Sequence, residues 1–193
     1  MSMIRSERHH TAQRLEGYAY FALFCGCIPL ANWLIGNVGT VCPPNSPCLI
    51  PVWPGTLAPS GVLAIGLALV LRDLVQRRLG LAWSVGAIVV GAVLSGLVSP
   101  PALVVASVAA FVLSEVADLA VYTPLQRRGL VLAVAASGVV GIVVDSVLFL
   151  SLAFGSLDFL WGQMIGKGWG LLLALPVVRW LRKRDTQLGF GAT

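Results

Sequence analysis

Residues 111–128, FVLSEVADLAVYTPLQRR, constrain the fold more than any other stretch. They close an apolar run long enough to cross a bilayer, yet they carry Glu115 and Asp118. Residues three and four apart share a helical face. Ser107, Phe111, Glu115, Asp118 and Tyr122 therefore form one stripe. An ionised side chain at membrane depth is costly unless it is paired or wetted. The stripe is expected to face a bundle interior or a water-filled cavity, with the rest of the chain built around it.

Composition removes most other classes. The 193 residues are 58% hydrophobic and 11% charged, with a mean hydropathy of +0.89, whereas soluble domains carry about 25% charged residues. An all-α integral membrane bundle is the class that remains. The net charge of +5 does not signal nucleic acid, because the bases sit in short clusters beside apolar runs and no recognition module is present. Of the four cysteines, Cys25 and Cys27 lie in the first apolar run and read as packing residues. Cys42 and Cys48 flank PPNSP in a loop, as a disulfide or as free thiols. No His stands near a Cys, so no zinc site is expected. No cofactor is implied.

Six transmembrane helices are predicted. Residues 1–16 read as a solvated, disordered cytoplasmic tail that includes His9 and His10. The first helix covers about residues 18–35, with Pro29 expected to kink it and Asn32 and Trp33 in the turn that follows. Residues 37–59 hold six prolines and no charge, which places them outside the cytoplasm. There PVWPGTLAPSG is a candidate re-entrant segment. The second helix covers about 57–74, and Arg72 and Asp73 read as an interfacial ion pair at its cytoplasmic end, followed by LVQRR. The third covers 81–98, with Gly91 and Ser95 as a close-packing face. The fourth covers 102–122 and is ended by Thr123-Pro124. The fifth covers 130–154 and carries Asp145. The sixth covers 159–181, is thinned by Gly162, Gly166, Gly168 and Gly170, and carries Gln163 and Lys167 on one face. Lys and Arg alternate between loops, so both termini are cytoplasmic. The domain reading is a tail (1–16), a six-helix transmembrane domain (17–182) and a C-terminal tail (183–193).

Helical rise sets the depths of the interior charges. Above the cytoplasmic ends, Asp118 lies at roughly 6 Å, Glu115 at roughly 10 Å, and Asp145 and Lys167 at roughly 20 Å. Asp145 and Lys167 share a level and are expected to pair. Glu115 lacks a cation unless Arg72 reaches it. An unpaired buried carboxylate binds a proton or awaits a ligand. Three acids and one base suit a neutral or cationic ligand with several donors, since two N–H groups meet two carboxylate oxygens well. Trp33, Trp161, Trp169, Phe111 and Phe149 are candidate stacking surfaces. The alternative is that these charges are structural pairs fixing helix register.

The run GTL with Pro59 (residues 55–59), then RDLVQRRLG (72–80), SEVADLAVYTPLQRR (114–128), SGVVGIVVDSVLFLSLAF (137–154) and Lys167 resembles the VUT family of queuosine-precursor transporters. The resemblance spans about residues 32–176. It implies import of 7-cyano-7-deazaguanine or 7-aminomethyl-7-deazaguanine across the inner membrane. By position it implies a binding set of Asn32, Glu115, Asp118, Ser137, Asp145 and Lys167, to which Trp33 and Phe111 add flat surfaces. Arg72 and Asp73 would form a gate or ion pair. Glu115 or Asp145 would take the guanidine-like edge of the base, and Asp118 would order an inner gate with an arginine. Arg72 departs from the uncharged polar residue of many relatives, as does the Cys-flanked outer loop.

Partners implied are the deazaguanine and the lipid bilayer, with no nucleic acid. The sequence leaves room for a homo-oligomer and for an energising partner. A substrate-binding subunit of an ATP-driven importer is the competing function, because no P-loop is present. An intramembrane enzyme is disfavoured: there is no HExxH and no nucleophile beside a base.

Overall fold

The computed structural model describes residues 2–42 and 47–187, with the side chains of residues 2–10 left aside. His9, His10 and the last six residues of the expected C-terminal tail fall outside the described side chains. Helix α1 (Ser2–Asn37) leads to a hairpin of β1 (Leu49–Trp53) and β2 (Thr56–Pro59). Helices α2 (Val62–Leu79), α3 (Leu81–Val98), α4 (Val104–Leu125), α5 (Leu130–Phe154) and α6 (Leu160–Gln187) follow, with one 3₁₀ turn at Pro101–Leu103. The molecule is a helical bundle of mostly membrane-spanning character. Among the described residues, five helices are long and apolar enough to cross a membrane, and α2 falls outside that set.

Helix α2 carries Arg72, Asp73, Arg77 and Arg78, yet it is the element that touches all five other helices. It separates two apolar cores. Leu69, Val70 and Leu74 pack with residues of α4, α5 and α6 such as Tyr122, Val134 and Val178. Ala68 and Leu71 pack with Phe24, Ile28, Ala87 and Phe111 of α1, α3 and α4. Lipid-facing positions on the outer helices are apolar, as at Leu97, Val105 and Leu173, each more than 70% exposed.

Several expectations are corrected. Residues 2–16 are helical where a disordered tail was expected: α1 begins at Ser2, and Glu16 pairs with Arg78 and Arg184. The second helix spans Val62–Leu79 and not about 57–74, and RDLVQRR forms its last two turns with Gly80 alone joining it to α3. RDLVQRR lies inside α2, because Arg72 and Asp73 find partners in the bundle instead of water. Thr123-Pro124 does not stop α4, which runs to Leu125. Pro124 cannot donate to the carbonyl four residues back, and the helix ends one residue beyond it. PVWPGTLAPSG is not re-entrant. It is an antiparallel hairpin turning at Pro54-Gly55, where Gly55 takes φ +73, the left-handed region glycine accepts. Cys42 and Cys48 form a disulfide beside it. The expected bounds of the third and fifth helices are those observed.

The glycines of α6 explain how α2 sits so deep. Gly162, Gly166 and Gly170 recur every four residues and form one face. A Cβ on Gly162 would meet Leu57 O, one on Gly166 would meet Val62, and one on Gly170 would meet Leu63 O at 2.7 Å. Small residues at this spacing let two helix backbones approach. Gly66 of α2 answers them, lying against the Lys167 backbone. Gly168 faces open space.

Gly170→Ala should therefore cost about 1–3 kcal/mol, the range for overpacking, while Gly168→Ala should be neutral or slightly stabilising. Thermal unfolding of the two purified variants in detergent checks the contrast.

Candidate binding site

A cavity of about 530 Å³ opens among the helices, within the ~300–1,000 Å³ typical of small-ligand sites. Gly36, Pro47, Pro59 and Pro100 line its loop end. Asn32, Phe111, Glu115, Asp145, Phe149 and Lys167 line its interior. The wall is largely apolar, with a few converging polar groups, as small-molecule sites generally are.

Two charge clusters stand at the cavity. The first is centred on Lys167 of α6. Its Nζ donates to Asp145 Oδ2, to Gln163 Oε1 and, at 3.0 Å, to Ser146 Oγ. The Asp145–Lys167 pair inferred from helical rise is thus formed. Gln163 and Lys167 meet because they are four apart on one helix. Lys167 spans to α5 through its contacts with Asp145 and Ser146, while the α6 backbone at Lys167 lies against Gly66 of α2.

The second cluster is centred on Arg72 of α2, whose guanidinium is fully buried. Its Nε donates to Glu115 Oε2 at 2.9 Å. Its Nη2 meets Asp118 Oδ1 and lies 3.1 Å from Asp73 Oδ1. Nη1 donates to Gln76 Oε1 at 3.4 Å, and Gln76 Nε2 donates to Thr123 Oγ1 at 3.1 Å. Ser137 of α5 donates to Asp73 Oδ2 at 3.0 Å. The Tyr122 ring lies 5.9 Å from the guanidinium carbon. Glu115 and Asp118 come from one face of α4, as the stripe requires. Arg72 is the cation that Glu115 lacked on sequence grounds, and Asp118 does pair with it.

Glu115 belongs to both clusters' surroundings: it lines the cavity and holds Arg72. Asp118, Asp73 and Ser137 do not line the cavity. Trp33 is corrected: it is 56% exposed and points away from the cavity, so it offers no stacking surface there. Trp161 is likewise exposed, and Trp169 donates its indole N–H to Val52 O at 2.9 Å. Asn32 does line the cavity, but its amide donates to Ile28 O at 3.0 Å, back along its own helix. Phe111 and Phe149 are the aromatic rings on the wall. Sequence reasoning missed Ser95 and Ser114 as lining residues. Ser95 was readable only as a packing position, and Ser114 precedes the acid without sharing its stripe.

Among the described residues, no group of three or more His, Cys, Asp or Glu side chains is arranged to hold a metal ion. Residues 95–183 match the family model described as "Putative vitamin uptake transporter". The VUT resemblance drawn from the sequence is borne out at the family level over that stretch. It covers the end of α3 and all of α4 and α5, and it reaches into α6 as far as Lys183. Glu115, Asp118, Asp145 and Lys167 lie inside the VUT match, and Asn32, Arg72 and Asp73 lie before it. The family is one of transporters, not enzymes. No curated protein and no solved structure matches the chain.

Removing one partner of a buried ion pair strands the others. Arg72→Leu should destabilise the protein by about 3–5 kcal/mol, because three carboxyls lose their cation. Combining it with Asp73→Asn, Glu115→Gln and Asp118→Asn should restore much of that loss. Detergent-solubilised yield and melting temperature of the single and quadruple variants check this.

Proposed function

We propose that the protein is a multi-pass inner-membrane transporter that takes up a queuosine precursor, 7-cyano-7-deazaguanine or 7-aminomethyl-7-deazaguanine. The observation that carries this reading is the shared cavity of Glu115, Asp145 and Lys167 with Phe111 and Phe149 on its wall. A deazaguanine is planar, so an aromatic ring can cover its face. Its N1–H and 2-amino group are adjacent donors that one carboxylate accepts as a pair. Its O6 needs a donor, which Lys167 or Asn32 supplies. Asp118, Ser137, Arg72 and Asp73 act behind the pocket, as an inner gate.

In this reading α2 makes the sixth crossing, shielded from lipid by its neighbours. Arg77, Arg78 and Arg184 mark the cytoplasmic end, together with Glu16 and Asp185. The uncharged hairpin and the Cys42–Cys48 disulfide mark the outer end. Both termini are then cytoplasmic, and the cavity, open toward the hairpin, faces outward.

The test uses cells that neither make nor import the precursor, express this chain and receive each deazaguanine at low concentration. Queuosine in tRNA should be restored by the wild type and lost with Glu115→Gln or Asp145→Asn at equal membrane levels. Restoration only when an ATPase is co-expressed would favour the importer-subunit reading instead.

A further inference from the structure

The Arg72 cluster holds more carboxyls than its cation can balance. Asp73, Glu115 and Asp118 surround a single guanidinium, and all four residues are at most 1% exposed. Arginine keeps its charge in proteins. With every carboxyl ionised, the cluster would carry two uncompensated negative charges out of reach of water, a state that buried groups avoid by neutralising.

The geometry singles out two of the three. Asp73 and Asp118 converge on the same guanidinium nitrogen, Nη2, whereas Glu115 has Nε to itself. Asp118 also lies beside Asp73 and the Ser137 hydroxyl. Two ionised carboxylates so placed repel each other, and the like-charge pair is relieved when one takes a proton. The unmet polar atoms agree. Asp118 Oδ2 is buried without a hydrogen-bond partner among the described residues, as is Tyr122 Oη, and Asp73 Oδ1 has only its 3.1 Å ion-pair contact with Arg72 Nη2, the nitrogen it shares with Asp118. Carboxylate oxygens are acceptors, so what they lack is a donor, and a carboxyl proton supplies one.

We infer that Asp73 and Asp118 form a proton-binding pair inside the bundle, and that ligand occupancy of Glu115 expels the proton. The second half rests on the function proposed above. The facing groups are Arg72 and Gln76 from α2, Glu115, Tyr122 and Thr123 from α4, and Ser137 from α5. Beyond Glu115 stand Asp145 of α5 and Lys167 of α6, which neutralise each other. Arg77 acts on Tyr122 from the next turn of α2. Arg72 is thus the one cation in direct contact with the pair. A two-donor ligand edge occupies both Glu115 oxygens and competes with the Arg72 Nε bond. The ligand's two N–H groups then carry the Glu115 charge in place of Nε, Arg72 serves Asp73 and Asp118 alone, and with a donor on every carboxylate the pair ionises and the proton leaves. The step moves one proton from carboxyl to solvent, with no bond to heavy atoms made or broken.

Infrared spectroscopy of the full chain in detergent, without ligand, tests the site. A protonated-carboxyl carbonyl band that shifts in D₂O should be present at neutral pH. It should vanish in both Asp73→Asn and Asp118→Asn and persist in Asp145→Asn. Absence of the band from the folded wild type, or its survival in both aspartate variants, overturns the site. The linkage is tested by adding 7-cyano-7-deazaguanine in weak buffer with a pH-indicator dye. About one proton should be released per ligand bound, and none from Asp118→Asn. Binding without proton release overturns the linkage. If neither deazaguanine binds, the proposed function fails, and the infrared result still decides the proton site.

Discussion

A permanently charged guanidinium enclosed within a bundle governs what can pack around it. Arg72 has five N–H donors and no neutral form available, so the helix that carries it cannot face lipid. This accounts for the central place of α2, which touches every other helix although it carries Arg72, Asp73, Arg77 and Arg78 and falls outside the set of candidate spans. It also accounts for the carboxyl stripe of α4. Glu115 and Asp118 would be costly at that depth alone, and Arg72 would be costly without them. The elements are mutually obligatory, and Ser137 draws α5 into the same arrangement through Asp73. The glycine face of α6 is what lets α2 be enclosed this closely.

A second set of ion pairs lies where the ends of α2 and α6 meet the interior of α1 at Glu16. Asp185 accepts from Arg77 and Arg78, and Glu16 pairs with Arg78 and Arg184. Several of these side chains are a sixth to a third exposed, so the pairs contribute less than their number suggests. Their effect is positional. They hold the ends of α2 and α6 in register with α1 below the Arg72 cluster, while the disulfide and the hairpin close the opposite end. The interior charges sit between two tied ends of one bundle.

The parts legible in the sequence were those set by local period or by punctuation. Helices α3 and α5 are apolar runs bounded by Gly80, by Ser99-Pro100 and by Gly129, and their bounds could be read directly. The α4 stripe followed from spacings of three and four. Asp145 and Lys167 met because equal rise put them at one level. What failed depended on tertiary context. Arg72 and Asp73 beside Arg77 and Arg78 look like a loop margin, since nothing local says that carboxyls forty residues away will surround Arg72. Trp33 follows the cavity residue Asn32, but one residue is about 100° of helix, which turns it outward. The hairpin was hidden because its prolines mask strand alternation. Ser95 lines the cavity through how α3 packs, which no one-dimensional pattern records.

The two interior cations share one property that bears on how a ligand can be held. Lys167 has Asp145, Gln163 and Ser146 as acceptors. Arg72 has Glu115, Asp118, Asp73 and Gln76. In each cluster the cavity-facing carboxylate is one acceptor among several. A ligand donor that takes Asp145 leaves Lys167 on Gln163 and Ser146, and one that takes Glu115 leaves Arg72 on two aspartates. Neither exchange strands a buried cation, the outcome that makes broken buried pairs expensive. The exchanges differ in what they leave behind. Releasing Asp145 uncovers a full positive charge beside the cavity, suited to a carbonyl oxygen. Releasing Glu115 shifts the Arg72 charge deeper, toward carboxyls that already outnumber it. A planar ligand with adjacent donors on one edge and a carbonyl beside them can engage both clusters, donating to Glu115 and accepting from Lys167. The cavity is therefore polar where partners can be exchanged without an orphaned charge, and apolar elsewhere.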